Sequence, residues 1–371
     1  MRNGSHRNRK RTYPGLLTAI AFTATWGCSS SEDGALGSRG RGGGNVGPTG
    51  SGSTGGHPLD ASDDVTPAND GGTGGMPMTD AAPPPGFWDA TNIPAAKNVM
   101  MFKFLNRTNG KYQDSGVFWS FKATSGLEVH SIAERPTFDM PANASGRMYF
   151  YLGEPNSQYY DFIEFTIGPT RFNGNTTRVD AFGLKIAMRL HCADGYDVAV
   201  GEDYATFQED RAVTFQKFVD EVPNEFKPLA QLRAPYRIVE PGAGGFKVGG
   251  IYEHYYDAYV DQIWAANGLT IPKPGANGSG LGAYPNISAA IFRHVGHDAG
   301  SFTADGKLLN KTLWFNAASF YGAAPANYYA KFWHTHAING KAYGFPYDDV
   351  GGYSSYVSHD NPQYLLVAIG W

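Results

Sequence analysis

Glu164 and Asp180 lie sixteen residues apart in the stretch Tyr159–Leu190, YYDFIEFTIGPTRFNGNTTRVDAFGLKIAMRL. The stretch has the pattern of a β-hairpin with one carboxylate on each arm. Two opposed carboxyl groups on neighbouring strands are the minimal equipment for cutting a glycosidic bond, which needs a proton donor and a second carboxylate across the scissile bond.

The elements that must position them follow from alternation. Tyr159–Ile167 alternates cleanly, with Tyr160, Phe162, Glu164 and Thr166 on one face. Gly168–Asn175 is rich in turn residues, and a return strand is expected from Thr176 to Leu190. If Glu164 faces Asp180, the turn centres on Phe172, and Phe162, Phe182 and Thr166 share the carboxylates' face. Direct opposition puts the two Cβ atoms roughly 5 Å apart and diagonal pairing about 7–8 Å. Both stay open, and a bulge at Gly183 would shift the register. A single strand Glu is most often a solvated side chain. A pair embedded among aromatics is harder to explain that way.

The chain has 371 residues. It starts with Arg2, Arg7, Arg9, Lys10 and Arg11, then an apolar run Leu16–Trp26, then Gly27-Cys28. This is the layout of an export signal over residues 1–28, with Cys28 placed as the lipidated residue of a lipoprotein; ordinary secretion is the competing reading. The apolar run is too short to span a bilayer. Residues 29–91 are rich in Gly, Ser, Pro and Asp and are expected to form a flexible tether with a reach on the order of 40 Å. Only two cysteines occur, Cys28 and Cys192, so no internal disulfide is expected. Cys192 follows an apolar run and has the character of buried packing.

The net charge is −4 and no basic block follows the signal, so nucleic acid is not an expected partner. Aromatic residues make up 14%. Tyr and Phe favour strands, and exposed rings also suit sugar faces. The expected fold is mainly β with α+β character: a β-barrel or sandwich lobe over about 92–200 and 340–371, and a mixed α/β lobe over about 201–339, with a cleft between them. Strands are expected at 98–105, 117–121, 137–140, 147–152, 235–240, 313–315 and 364–371. Helices are expected at a capping box Thr206…Glu209, a stripe Phe215, Phe218, Val219, Val222 ended by Pro223, and at 254–266 and 327–338.

Other constellations are weaker. His334 and His336 are two apart on a helix and lack a completing Glu, so no metal site is expected. Asp348-Asp349 has the position of a turn anchor, with sugar hydroxyls or a cation as the alternative. Gly242–Gly250 does not match a phosphate loop. Trp119, Trp264 and Trp333 are each core residues or sugar platforms. The sequons at Asn106 and Asn175 carry little weight for a chain with a lipoprotein-type signal.

DFIEFT, then Val179-Asp180, then APANYYAKFWHTHAINGKAYGFPYDDVGGYSSYVS and the closing LLVAIGW resemble glycoside hydrolase family 64 over essentially all of 92–371. The resemblance implies endo-β-1,3-glucanase activity, a thaumatin-like β lobe and a mixed lobe flanking a wide groove, and an inverting mechanism. Glu164 matches the family's general acid and Asp180 its general base. Thr166 matches a position near the sugar, and Phe162, Phe172 and Arg178 are the other expected substrate-binding residues. Phe162 and Phe182 are expected to keep Glu164 protonated, and Arg178 to help keep Asp180 ionised. The chain has Gly168 where the family often has Asn, and Phe172 or nothing where it often has Trp. The expected partner is a laminarin-like or curdlan-like β-1,3-glucan, with no cofactor, a monomeric chain, and membrane attachment only through a lipid at Cys28. A non-catalytic glucan-binding lipoprotein is the competing function, and a structural surface protein a third.

Overall fold

The computed structural model describes residues 82–123, 126–275 and 280–371. The expected signal, Cys28 and the tether up to residue 81 lie outside the described residues. Packing begins before the boundary expected at 92: Phe87 is buried, edge-on to Tyr204 and Phe207 at 5.0 Å each.

Two open sheets share one core. The strands are β1 Met100–Arg107, β2 Val117–Ala123, β3 Gly126–Ser131, β4 Thr137–Met140, β5 Ala144–Leu152, β6 Tyr160–Ile167 and β7 Arg171–Thr176. They continue with β8 Ala181–Phe182, β9 Lys185–Cys192, β10 Asp197–Gly201, β11 Ile238–Val239, β12 Tyr356–Asp360 and β13 Pro362–Gly370. One sheet has the order β10-β9-β13-β1-β4, the other β12-β7-β6-β5-β2-β3, and β8 pairs with β11 alone. Phe102 of the first sheet meets Phe165 of the second at 5.2 Å, and Phe104 meets Trp119 at 4.9 Å. The result is a sandwich. Among the described residues neither sheet closes, which corrects the barrel alternative. β13 runs parallel to β1 and antiparallel to β9, and Leu365–Ile369 are fully buried, as a central strand covered on both faces requires.

The helices lie between β10 and β12 in the chain. α1 is Tyr204–Gln208 and α2 is Arg211–Glu221. α3 is Asp257–Asn267, α4 is Pro285–Arg293 and α5 is Tyr328–Thr335. Asp203, not Thr206, caps α1, accepting the Thr206 N–H at 2.6 Å; Thr206 lies inside the helix. Asp210 caps α2, and Pro223 follows its end. Residues Lys311–Phe315 form a 3₁₀ turn where a strand was expected, and the strand expected at 235–240 shrinks to β11. Trp119, Trp264 and Trp333 are all buried, so none is a sugar platform.

The expected hairpin is also corrected. Gly168 N–H donates to the Arg171 carbonyl at 2.8 Å, so the turn closes before Phe172. Glu164 faces Asn175 rather than Asp180. The return strand is three pieces: β7 stays in the six-stranded sheet, β8 pairs with β11, and β9 belongs to the other sheet. The cause is a buried cation. Arg178 donates to Asp161 Oδ2 at 3.0 Å and through Nε and Nη2 to the two Glu202 oxygens at 2.7 Å each. Asp161 Oδ2 also accepts the N–H groups of Gly183 and Leu184, at 2.7 and 3.0 Å. Burying charges is tolerable only when each is paired and hydrogen-bonded, so the chain turns to satisfy them. Gly183 is required by this approach, since a Cβ there would stand 2.0 Å from the Tyr160 carbonyl oxygen.

Candidate active site

The outer face of the six-stranded sheet carries two polar rows. Arg147, Glu164, Asn175 and Tyr356 lie abreast on β5, β6, β7 and β12. Ser145, Thr166, Asn173 and Ser358 form the next row. Ser145 and Thr166 hydroxyls are 2.8 Å apart, and Asn173 Oδ1 accepts from Tyr356 and Ser358 hydroxyls at 2.9 and 2.7 Å. Alternation explains the faces: the intervening Ile163, Phe165 and Ile167 point into the sandwich core.

Asp180 reaches this face from the crossing segment between β7 and β8. Arg147 joins it to Glu164. The Arg147 guanidinium lies 4.2 Å over the Phe162 ring, donates from Nε to Glu164 Oε1 at 2.8 Å, and contacts Asp180 Oδ2 through Nη1 at 2.9 Å. The two carboxylates are therefore separated by one hydrogen bond, one ion-pair contact and the width of one guanidinium. Their environments differ. The Glu164 side chain is 17% exposed and that of Asp180 46%. Burial raises the Glu164 carboxyl above its ordinary value; Arg147 opposes the shift and Asp180 adds to it.

The other expected site residues divide. Thr166 is at the site, on the face of Glu164. Phe162 is 3% exposed beneath Arg147 and supports the guanidinium rather than offering a face to a ligand. Phe172 is fully buried against Phe102 and Phe165, because it pairs with Ile167 and shares that residue's inward face. It is a core residue, not a sugar contact. Arg178 is 2% exposed and consumed by Asp161 and Glu202, so it neither meets a ligand nor partners Asp180. Phe182 stacks on Trp333 at 4.6 Å in a separate apolar cluster.

Two site residues went unread in the sequence. Arg147 alternates with Tyr149 and Tyr151 on the polar face of β5, a usable signal once the register is known. Glu240 follows β11, and its N–H meets the Asp180 carbonyl at 3.4 Å. Burial pushes its carboxyl up to about 7, the Gly242 and Ala243 N–H groups pull the other way, and Asp180 adds to the rise.

The remaining constellations are structural. Asp348 is fully buried, accepting from Arg293 at 2.9 Å, from the Gly344 N–H at 2.8 Å and contacting His334 Nε2 at 3.0 Å. His336 turns instead to Glu221, at 2.9 Å. Among the described residues no group of three His, Cys, Asp or Glu side chains is arranged to hold a metal ion. Cys192 is buried, and burial pushes its thiol up to about 11, which disfavours a nucleophilic thiolate.

The family of β-1,3-glucanases designated glycoside hydrolase family 64 matches residues 153–280 and 283–369. A glucan endo-1,3-β-glucosidase of Arthrobacter sp. (strain YCWD3) is 52% identical over 66% of this chain and 52% of its own length. A second, from Cellulosimicrobium cellulans, is 52% identical over 15% of this chain and 10% of its own. The chain thus spans about half the length of the first curated relative and a tenth of the second. The crystal structure of a family 64 laminaripentaose-producing β-1,3-glucanase from Paenibacillus barengoltzii superposes with a TM-score of 0.63 at 32% identity, over 76% of this chain and 77% of that one. The same enzyme is known in complex with laminarihexaose. On the matched span and these likenesses, the chain belongs to glycoside hydrolase family 64.

Proposed function

We propose that the protein is an endo-acting β-1,3-glucanase that inverts the anomeric centre. One observation carries the reading: two carboxylates of unequal exposure share one polar sheet face and one guanidinium. Glu164, the less exposed one with the raised pKa, is the general acid that protonates the departing glycosidic oxygen. Asp180, the exposed one, is the general base that activates water on the far side of the sugar ring. An inverting enzyme needs about 6.5–9.5 Å between the two carboxyl groups so that water fits, while a retaining enzyme needs about 5–5.5 Å. Carboxylates set on separate nitrogens of one arginine, rather than opposed across a ladder, favour the wider spacing. Thr166, Ser145, Asn173 and Ser358 supply hydroxyl and amide groups for sugar hydroxyls along the same face.

The substrate is a β-1,3-glucan, in line with the family and with the laminarihexaose bound by the Paenibacillus relative. The test is reducing-sugar release from laminarin and curdlan. Rapid NMR of the first products then reports the anomer. Release of α-anomeric ends supports the proposal. No release from either glucan fits a glucan-binding protein without catalysis and overturns it, and β-anomeric products overturn the inverting step.

We also infer export, with Cys28 as a lipid anchor and the Gly/Ser/Pro-rich stretch as a tether for a monomeric catalytic part. The basic start, the short apolar run and Gly27-Cys28 support this. Metabolic labelling with a radioactive fatty acid tests it: label lost in Cys28→Ser supports anchoring, and no label on the native protein overturns it.

A further inference from the structure

Arg147 stands where no expectation placed a residue. It comes from β5, a strand that carries neither carboxylate, and meets Glu164 across the ladder and Asp180 from the crossing segment. Its guanidinium rests on the Phe162 ring, 4.2 Å from the ring centroid. Burial pulls the guanidinium's pKa down, but Asp180 and Glu164 outweigh it and the net shift is upward, so the group is a permanent cation. The segment that carries Asp180 is tied down by Arg178 two residues earlier and by β8 one residue later, but the Asp180 side chain itself is nearly half exposed.

We infer that Arg147 is the positioning residue of the reaction: it fixes the Asp180 carboxylate relative to Glu164 and so sets the gap in which the attacking water sits. This rests on the reading of Glu164 as acid and Asp180 as base. One guanidinium can do this because its donors lie in a rigid plane, and two carboxylates on different nitrogens of that plane are held at one separation. A lysine offers a charge of the same sign but as a point, and holds no such separation. The same cation also opposes the rise that burial gives the Glu164 carboxyl, so it helps set the pH at which the acid loses its proton. Its removal makes the Glu164 proton harder to lose, and the alkaline limb of the pH–rate profile moves upward.

The experiment compares wild type, Arg147→Ala and Arg147→Lys on laminarin, recording kcat and KM across pH. Arg189→Met, at an Arg–Asp pair on the other sheet, is the control. The expected result for Arg147→Ala is a fall in kcat of about a hundredfold with KM changed little, as for a misplaced catalytic group. The alkaline limb shifts upward, and added guanidinium ion partly restores the rate. Arg147→Lys retains the charge but is expected to stay below about a tenth of the wild-type kcat. A pH profile of Arg147→Ala that superimposes on wild type overturns the inference. If Arg147→Ala does not fold, the lysine variant decides: full activity with an unshifted profile overturns the inference, and a slow enzyme with native circular dichroism supports it. An inactive wild type would instead remove the acid/base reading on which the inference rests.

Discussion

Asp161 and Arg178 form a buried ion pair at 3.0 Å, on the face of β6 opposite Glu164, and this pair decides where Asp180 can be. It pulls the chain out of the six-stranded sheet after Thr176 and holds the crossing segment against β6. Breaking a buried pair by neutralising one partner leaves the other uncompensated and costs about 3–5 kcal/mol. Asp161→Asn is therefore expected to lower unfolding free energy by roughly that amount in a denaturant titration. A loss below about 1 kcal/mol, the range of an exposed pair, would contradict the role given to the pair.

Gly183 and Gly168 make a matched comparison. A Cβ at Gly183 meets the Tyr160 carbonyl oxygen at 2.0 Å, whereas at Gly168 the nearest atom is 3.7 Å away. Backbone cannot yield as a flexible side chain can. Gly183→Ala should cost about 3 kcal/mol or more, while Gly168→Ala should stay within about 1 kcal/mol. Thermal melts of the two variants check this, and equal Tm values would contradict it.

Glu240 predicts a pH dependence of stability. Its folded-state pKa of about 7 lies above the ordinary 4.5, so the fold disfavours its ionised form. The penalty is absent below 4.5, grows between 4.5 and about 7, and is complete above that. Glu240→Gln keeps an acceptor for the Gly242 N–H and removes the charge. The variant should gain on the order of 1–3 kcal/mol over wild type at pH 8 and little at pH 4. Equal stability of the two proteins at pH 8 would contradict the assignment.

Tyr356 is 45% exposed at the end of the row that contains Arg147, Glu164 and Asn175. It lies two strands from Glu164, about 10 Å at the usual strand spacing. An exposed ring at that distance fits a glucosyl unit beyond the scissile bond. Tyr356→Ala should raise KM for laminarin by about three- to tenfold, roughly 1 kcal/mol, with kcat nearly unchanged. An unaltered KM would contradict a sugar path along this row.

The strands with clean alternation were legible from sequence. Thr137–Met140 coincides with β4, and Tyr159–Ile167 differs from β6 by one residue. What hid was register. Pairing Glu164 with Asn175 instead of Asp180 moves the return strand by five positions, an odd number, and an odd shift exchanges its two faces. Phe172 thereby passes from the expected site to the core. Arg178 escapes the ladder altogether, because it takes two carboxylates, Asp161 on β6 and Glu202 just beyond β10, and the second is a long-range partner that local pattern does not carry. Strand β12 hid in a run of Gly, Ser and Tyr residues, which resembles a loop until Asn173 and Asn175 offer it an edge. Arg147 hid for the same reason as the register: its partner on β6 is set by the β5–β6 turn and not by its own neighbours.

The central claim is that Glu164 and Asp180 divide the work of acid and base. It is tested most directly by the initial rate of reducing-sugar release from laminarin by Glu164→Gln and Asp180→Asn, each checked for native circular dichroism. Each variant should lose roughly a thousandfold or more of kcat while remaining folded. A folded variant at either position working within about tenfold of wild type, less than general acid–base catalysis contributes, would contradict the account.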